Sequence, residues 1–206
     1  MQEQREIFKK LKAVLTDELP GQQAQWQMAT QGRKQRRFVH KRTAAVLIAL
    51  YPSNDGWHFP LIKRADDGYV HSGQVGLPGG KIEEGESIIE AAMREAQEEV
   101  GLNPQFVNVA GNLTALPIPV SCNLVYPVIG VLEHEPAWNL NPREVQELLL
   151  VNVDDLLDEN NRMEETWQFS QGPRLVPFFK LQDHKVWGAT AMILSEFVEL
   201  MRRVGE

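Results

Sequence analysis

The stretch from Gly80 to Leu102 constrains this chain more than any other. A polar turn, Gly80-Lys81-Ile82-Glu83-Glu84-Gly85-Glu86, leads into a helical pattern over Ser87 to Val100. Gly101 closes it at the position just past the helix, where a left-handed residue is needed. Ile88, Ile89, Ala92, Ala96 and Val100 can form one apolar face, so the helix must lie against another layer of the fold. Residues three and four apart share a face, which makes Glu95, Glu98 and Glu99 project together. Like charges at that spacing repel, and the macrodipole opposes negative charge at the C-terminal end of a helix. Two readings follow. Either this is a solvated acidic surface, or a cation offsets the charge, and a hard divalent ion bound through oxygen is the natural one. Leu77-Pro78-Gly79-Gly80 before the helix is a tight turn whose glycines, lacking β-carbons, let backbone groups approach a metal or phosphate.

Around this helix the chain alternates strand and helix patterns. Residues 3–18 carry Ile7, Phe8, Leu11, Val14 and Leu15 at helical spacing, and Pro20-Gly21 ends that helix ahead of a polar stretch without period. Thr43–Tyr51 reads as a buried strand and Trp57–Arg64 as its neighbour, joined by a hairpin turn at Asn54-Asp55-Gly56. A loop fills Ala65–Gly80, further strands are expected at 105–116, 124–134, 144–152, 165–170 and 174–181, and a last helix at 188–203. Ala191, Leu194, Phe197, Val198 and Met201 share one face of that helix. No repeat divides the chain, and the alternation predicts an α/β sandwich. Residues 1–42 form an N-terminal helix and basic segment expected to pack on a main domain spanning 43–206.

Composition removes other classes. The net charge of −7 argues against general nucleic-acid binding, although a metal ion can still bring a phosphorylated substrate to an acidic site. The single cysteine, Cys122, excludes a disulfide framework and a cysteine-rich zinc site, and is expected to be a small packing residue. The N-terminus has no leader pattern and the longest apolar run, Ala44–Tyr51, is too short to span a bilayer, so a cytoplasmic location is expected. Arg33 to Arg42 carries six formal positive charges, which are either a solvated segment or a counter-charge for substrate phosphates.

The spacing from Gly80 through Glu86, Arg94-Glu95, Glu98-Glu99 and Gly101-Leu102 resembles the Nudix box, with every specified position filled. The resemblance implies a Nudix-type α/β/α sandwich with a mixed sheet and a loop–helix–loop catalytic motif, hydrolysing nucleoside diphosphates linked to another moiety. It implies that Glu95, Glu98 and Glu99 hold Mg²⁺ or Mn²⁺, with the Gly79 carbonyl joining them. Arg94 and Glu86 would orient the carboxylates. The ions would neutralise phosphate oxygens and lower the pKa of bound water, while a carboxylate takes the proton. Glu98 is the first candidate for that base and Glu144 the second; Glu133, Glu135 and Glu147 are read as surface residues.

A narrower resemblance, to the coenzyme A pyrophosphatase subgroup, rests on Leu61-Ile62-Lys63-Arg64 and on His71-Ser72-Gly73-Gln74-Val75-Gly76-Leu77 running into Pro78-Gly79-Gly80. It extends to Val125–Gly130, Asn141–Val145 and Trp187–Ala191. The chain departs from that subgroup's motif at Ile62, Ala65, Tyr69 and Leu77. The resemblance implies coenzyme A or an acyl derivative as substrate, cut to 3′,5′-ADP and (acyl-)4′-phosphopantetheine. Arg64, Lys63, His71 and Gly80 are the candidate substrate contacts, with Arg64 or the basic run as the site for the 3′-phosphate. His71 has turn packing as its alternative, and Trp187 is expected to pack the start of the last helix. Rival substrates are ADP-ribose, NADH and dinucleoside polyphosphates, and a rival of another class is a nucleotide-sensing module that does not cut. The partner is a small nucleotide derivative, with no nucleic acid or membrane expected and a homodimer allowed.

Overall fold

A computed structural model describes residues 2–33, 41–65 and 73–205. The chain runs α1 (Gln2–Thr16), α2 (Gly21–Trp26), β1 (Arg42–Ser53), β2 (Gly56–Arg64), β3 (Val75–Gly76), β4 (Gly79–Lys81) and α3 (Ile88–Val100). It continues through β5 (Asn108–Asn112), β6 (Leu116–Ile118), β7 (Asn123–Val131), β8 (Val145–Asn152) and α4 (Val153–Leu157). It ends with β9 (Arg162–Phe169), β10 (Gly172–Leu181), β11 (His184–Trp187) and α5 (Gly188–Gly205).

Strand β1 is the axis of the fold. It pairs in parallel with β7 and antiparallel with β4, and its far end makes the expected hairpin with β2. Strands β3 and β8 flank β2, and β5 and β6 flank β7, so the sheet is mixed. Because β1 is covered on both faces it is a continuous apolar run rather than an alternating one. Leu47 and Ala49 face α3, packing with Ala91, Ala92, Ala96 and Val100. Ile48 and Leu50 face the opposite layer with Phe59, Leu61, Ile129 and, from α5, Leu194 and Phe197. Helices thus lie on both sides of the sheet, the α/β/α layering that the resemblance implied. Strands β9–β11 form a separate three-stranded antiparallel sheet beside it.

Leu11 of α1 and Met28 just after α2 are fully buried in the same core as α5, so the N-terminal helices are packed onto the rest. Glu196 of α5 is buried and accepts from the Gly21 and Thr114 backbone N–H groups at 3.1 and 3.2 Å and from Gln25 Nε2 at 2.8 Å. Three donors on one carboxylate offset its loss of water and fix α2 against α5.

Several boundaries differ from expectation. The stretch after Pro20, read as irregular, contains α2. The expected loop Ala65–Gly80 contains β3 and reaches into β4. The strand expected at 105–116 breaks into a 3₁₀ turn at Pro104–Phe106, then β5 and, after a gap, β6. Strand β11 was not expected: its four residues lie in a short return from the turn at Gln182-Asp183. Ile89, expected on the apolar face of α3, is 41% exposed, whereas Ala91 and Met93 are buried. The buried face is therefore rotated toward Ala91, Ala92, Met93 and Ala96. Cys122 sits half-buried in the turn before β7 with φ +53°, donating its S–H to the Pro119 carbonyl, rather than packing in a core.

Candidate functional site

The ends of α3 are set by local chemistry. Ser87, at φ −76° and ψ 163°, accepts from the Glu90 N–H, and the Glu90 carboxylate accepts from the Ser87 N–H. This capping box satisfies two N–H groups that no earlier carbonyl can reach. At the other end Gly101 adopts φ +72°, and a β-carbon there would come within 2.7 Å of Asn139. Between these ends the helix packs against β4, whose Gly79 and Gly80 pair with Val46 and Ala45 of β1.

The three glutamates descend from solvent into the protein. The Glu98 side chain is 52% exposed, Glu95 is mostly covered, and Glu99 is 0% exposed. Glu99 Oε2 accepts from the Gly79 N–H at 2.8 Å, and its Oε1 lies 3.3 Å from Arg64 Nη1. Burial pushes the Glu99 carboxyl up to about 7, helped by the charges of Glu95 and Glu144 and opposed by Arg64 and the Gly79 N–H. Burial also raises Glu95, against the hydrogen bond and charge of Arg94. Both carboxylates carry negative charge where water solvates it poorly, so both favour a nearby cation.

Arg94 ties the outer part together. Its Nε and Nη2 meet Glu86 Oε1 and Oε2 at 2.8 and 3.1 Å, a two-pronged pair. Its Nη1 donates to Glu95 at 2.9 Å and to Glu98 at 3.1 Å, and Nη2 also reaches the Lys81 carbonyl at 2.9 Å. The hydrogen bond from Arg94 holds Glu86 below the usual carboxylate range. Glu86 also accepts from the Glu83 N–H, closing the loop before the helix.

Gly80 shows why this turn needs glycine: a β-carbon built on it would stand 2.5 Å from the Glu95 carboxylate. At Gly79, φ +151°, a β-carbon would strike the Ala45 carbonyl at 2.3 Å and Val46 Cα at 2.6 Å. The carboxylates of α3 therefore lie directly on bare backbone of β4.

The structure brings Glu86, Arg94, Glu95, Glu98, Glu99, Gly79, Gly80 and Arg64 together. Glu144 is exposed on the loop before β8. Its carbonyl accepts from the Ala65 N–H at 2.8 Å, and its charge acts on both Glu95 and Glu99. Lys63 lies on β2 opposite Val75 of β3 and Glu147 of β8. His71 and Tyr69 lie outside the described residues, as do 34–40 of the basic run. Trp187 stands edge-on to Trp167 at 5.1 Å, on the three-stranded sheet. The sequence did not disclose the contact of Arg64 with Glu99 or the role of the Lys81 carbonyl, because both arise where α3 packs on the sheet rather than from spacing along the chain.

Among the described residues no three His, Cys, Asp or Glu side chains converge tightly enough to enclose an ion by themselves. The donor set still fits a hard divalent ion, since it consists of carboxylate and carbonyl oxygens. Mg²⁺ is commonly bound by one or two carboxylates and completed by water and substrate phosphate.

A family model described as the NUDIX domain matches residues 41–171. The Arabidopsis thaliana protein "Nudix hydrolase 22, chloroplastic" is 39% identical over 168 residues, 77% of this chain and 54% of that protein. An uncharacterized Nudix hydrolase, NudL, of Pectobacterium atrosepticum is 35% identical over 164 residues, 78% of this chain and 83% of its own length. The chain spans 54% and 58% of the two Arabidopsis relatives it matches. Among solved structures, the Nudix hydrolase RenU of M. smegmatis aligns over 85% of this chain and 93% of its own, with a TM-score of 0.55 at 19% identity. That likeness is one of fold.

Proposed function

The chain belongs to the NUDIX domain family, and from that premise we propose that it is a metal-dependent pyrophosphohydrolase acting on a nucleoside diphosphate derivative. The observation that carries the proposal is the contact of the Glu95 carboxylate with the bare backbone of Gly80, beside the buried Glu99. It puts charge that calls for a cation directly against a turn that carries no side chain of its own. Members of the family generally use divalent metal ions, and we assign Mg²⁺ or Mn²⁺ to this chain.

In this reading Glu95, Glu98, Glu99 and the Gly79 carbonyl hold the metal. When bound, the ion neutralises the diphosphate oxygens and acidifies a water. Arg94, braced by Glu86 and the Lys81 carbonyl, keeps Glu95 and Glu98 pointing toward the turn. Glu98, the most exposed of the three, accepts the proton of the attacking water, and Glu144 is the second candidate because its charge reaches the same carboxylates. Gly80 lets the substrate approach the backbone closely.

Coenzyme A or an acyl derivative is the substrate we propose, yielding 3′,5′-ADP and (acyl-)4′-phosphopantetheine. Support comes from the match of Arg64, Gly73 and Pro78-Gly79-Gly80 to the coenzyme A pyrophosphatase motif and from the order of the segments that follow. Lys63 and His71 complete the proposed substrate contacts. We propose a cytoplasmic location; among the described residues no helix is long and apolar enough to cross a membrane. The test is hydrolysis with Mg²⁺ of coenzyme A, dephospho-coenzyme A, ADP-ribose, NADH and diadenosine polyphosphates. Preference for coenzyme A supports the substrate; preference for another shifts the substrate and keeps the chemistry; no turnover of any rejects the enzyme.

A further inference from the structure

Arg64, proposed above as a substrate contact, also makes two contacts that this role does not account for. It ends β2 at a break in register between Lys63 and Arg64 where β2 meets β8, and such irregularities redirect a side chain. Here Nη1 lies 3.3 Å from Glu99 Oε1 and 3.5 Å from the Gly79 carbonyl oxygen. Those are two of the oxygens assigned to the divalent ion. Glu99 is fully buried and so needs a positive partner, and the guanidinium supplies it. The Arg64 side chain is itself 41% exposed, so the partnership has an exit toward solvent. Glu99 Oε2 is held separately by the Gly79 N–H at 2.8 Å. The carboxylate can therefore exchange one cation for another without swinging away.

We propose that Arg64 is a resident counter-ion that shares Glu99 Oε1 and the Gly79 carbonyl with the divalent metal, so that metal binding releases Arg64. This rests on the assignment of Glu99 to the metal site. Each oxygen keeps a second lone pair, so the competition is one of charge. A guanidinium nitrogen 3.3 and 3.5 Å from the two oxygens would stand within a few ångström of a divalent ion bound to them at roughly 2.1 Å. Like charges that close, away from bulk water, repel strongly. The released guanidinium, still charged, becomes free to pair with substrate phosphate. Arg64 thereby makes substrate recognition conditional on the metal, and holds Glu99 in place before the metal arrives.

The experiment is Mn²⁺ binding to the full chain at pH 8 without substrate, followed by the electron paramagnetic resonance of free Mn²⁺. The wild type is compared with Arg64→Met, Glu99→Gln and the double variant. Arg64→Met should tighten binding about tenfold, as expected for removing one competing charge-assisted hydrogen bond. In the Glu99→Gln background the same substitution should change binding less than about twofold, since the contested carboxylate is then gone and only the longer 3.5 Å contact with the Gly79 carbonyl remains; such non-additivity marks residues in contact. Unchanged or weaker binding by Arg64→Met overturns the inference, and so does equal tightening in both backgrounds, which marks a general field effect. If Glu99→Gln alone binds Mn²⁺ like the wild type, the metal assignment fails first. A measurement on the wild type covers the case of a variant that does not fold. The Arg64 Nε–H resonance, identified by its absence from Arg64→Lys, should shift on titration with Mg²⁺, and a resonance that stays in place overturns the inference.

Discussion

Replacing each of the two glycines of β4 by alanine should have opposite consequences. At Gly79 the new β-carbon meets backbone, the Ala45 carbonyl at 2.3 Å and Val46 Cα at 2.6 Å, on a residue at φ +151°. Neither atom can move without opening the pairing of β1 with β4, and the conformation is itself strained for alanine. Overpacking and backbone strain together cost about 3 kcal/mol, which lowers Tm by about 6–12 °C in a chain of this size. At Gly80 the β-carbon meets only the end of a flexible side chain, the Glu95 carboxylate at 2.5 Å. Glu95 can turn away, losing its 2.9 Å contact with Arg94, at a cost of about 1 kcal/mol or less because that pair is partly exposed. Gly80→Ala should therefore melt within a few degrees of the wild type yet lose its stabilisation by Mg²⁺ and at least about tenfold in kcat, a barrier change of about 1.4 kcal/mol. Thermal melts with and without 5–10 mM Mg²⁺ (roughly, an excess that saturates a linked site) and steady-state hydrolysis measure both. A Gly80→Ala protein with full Mg²⁺ response and turnover, or a Gly79→Ala protein as stable as the wild type, would refute the reasoning.

Arg94→Lys should lower kcat by at least about tenfold with little change in KM, since one ammonium cannot reproduce the two-pronged grip on Glu86 while holding Glu95 and Glu98; equal kcat for the two proteins would contradict the positioning role. Glu99 gives a pH dependence in EDTA: its carboxyl is raised from 4.5 to about 7, so its stabilising contribution is complete below 4.5 and lost as pH rises through 7. That contribution is about 3 kcal/mol, and the Tm of the wild type should fall more between pH 5 and 8 than that of Glu99→Gln; parallel melting curves would exclude it. Leu11→Ala empties a fully buried position between α1 and the core and should cost about 2–5 kcal/mol while leaving kcat/KM at 25 °C within about twofold, and an unchanged Tm would show that α1 is not part of the core.

How far the fold could be read from the residues depended on the range of the forces involved. The bounds of helix α3 were legible, because each end is set by residues next to it, Ser87 with Glu90 at one and Gly101 at the other; its buried face was not, since Ile89 is exposed and Met93 buried only through packing on the sheet. The β1–β2 hairpin was legible for the same reason as those bounds, with Asn54-Asp55-Gly56 supplying the turn. Helix α2 was not, since its six residues carry no periodicity and are held by Glu196, distant along the chain. Strands β3 and β4 are too short to show a pattern and exist only as partners of β2 and β1. Within the site, the acidic positions of α3, Arg94 and Glu86 were visible as a spacing. Arg64 was marked for substrate phosphate, but its contact with Glu99 arises only when β2 and β4 are laid beside α3. The burial of Glu99 against the exposure of Glu98 also could not be seen from spacing, because both positions are compatible with one acidic face until the sheet covers part of it.

The most direct test is to locate the cation itself. Crystals of the wild type soaked with Mn²⁺ should give an anomalous peak coordinated by Glu95 or Glu99 next to the Gly79–Gly80 turn, and that peak should disappear in Glu95→Gln/Glu99→Gln crystals soaked alike. A peak elsewhere, or one that survives both substitutions, would contradict the claim that the acids of α3 hold a metal against the phosphoanhydride.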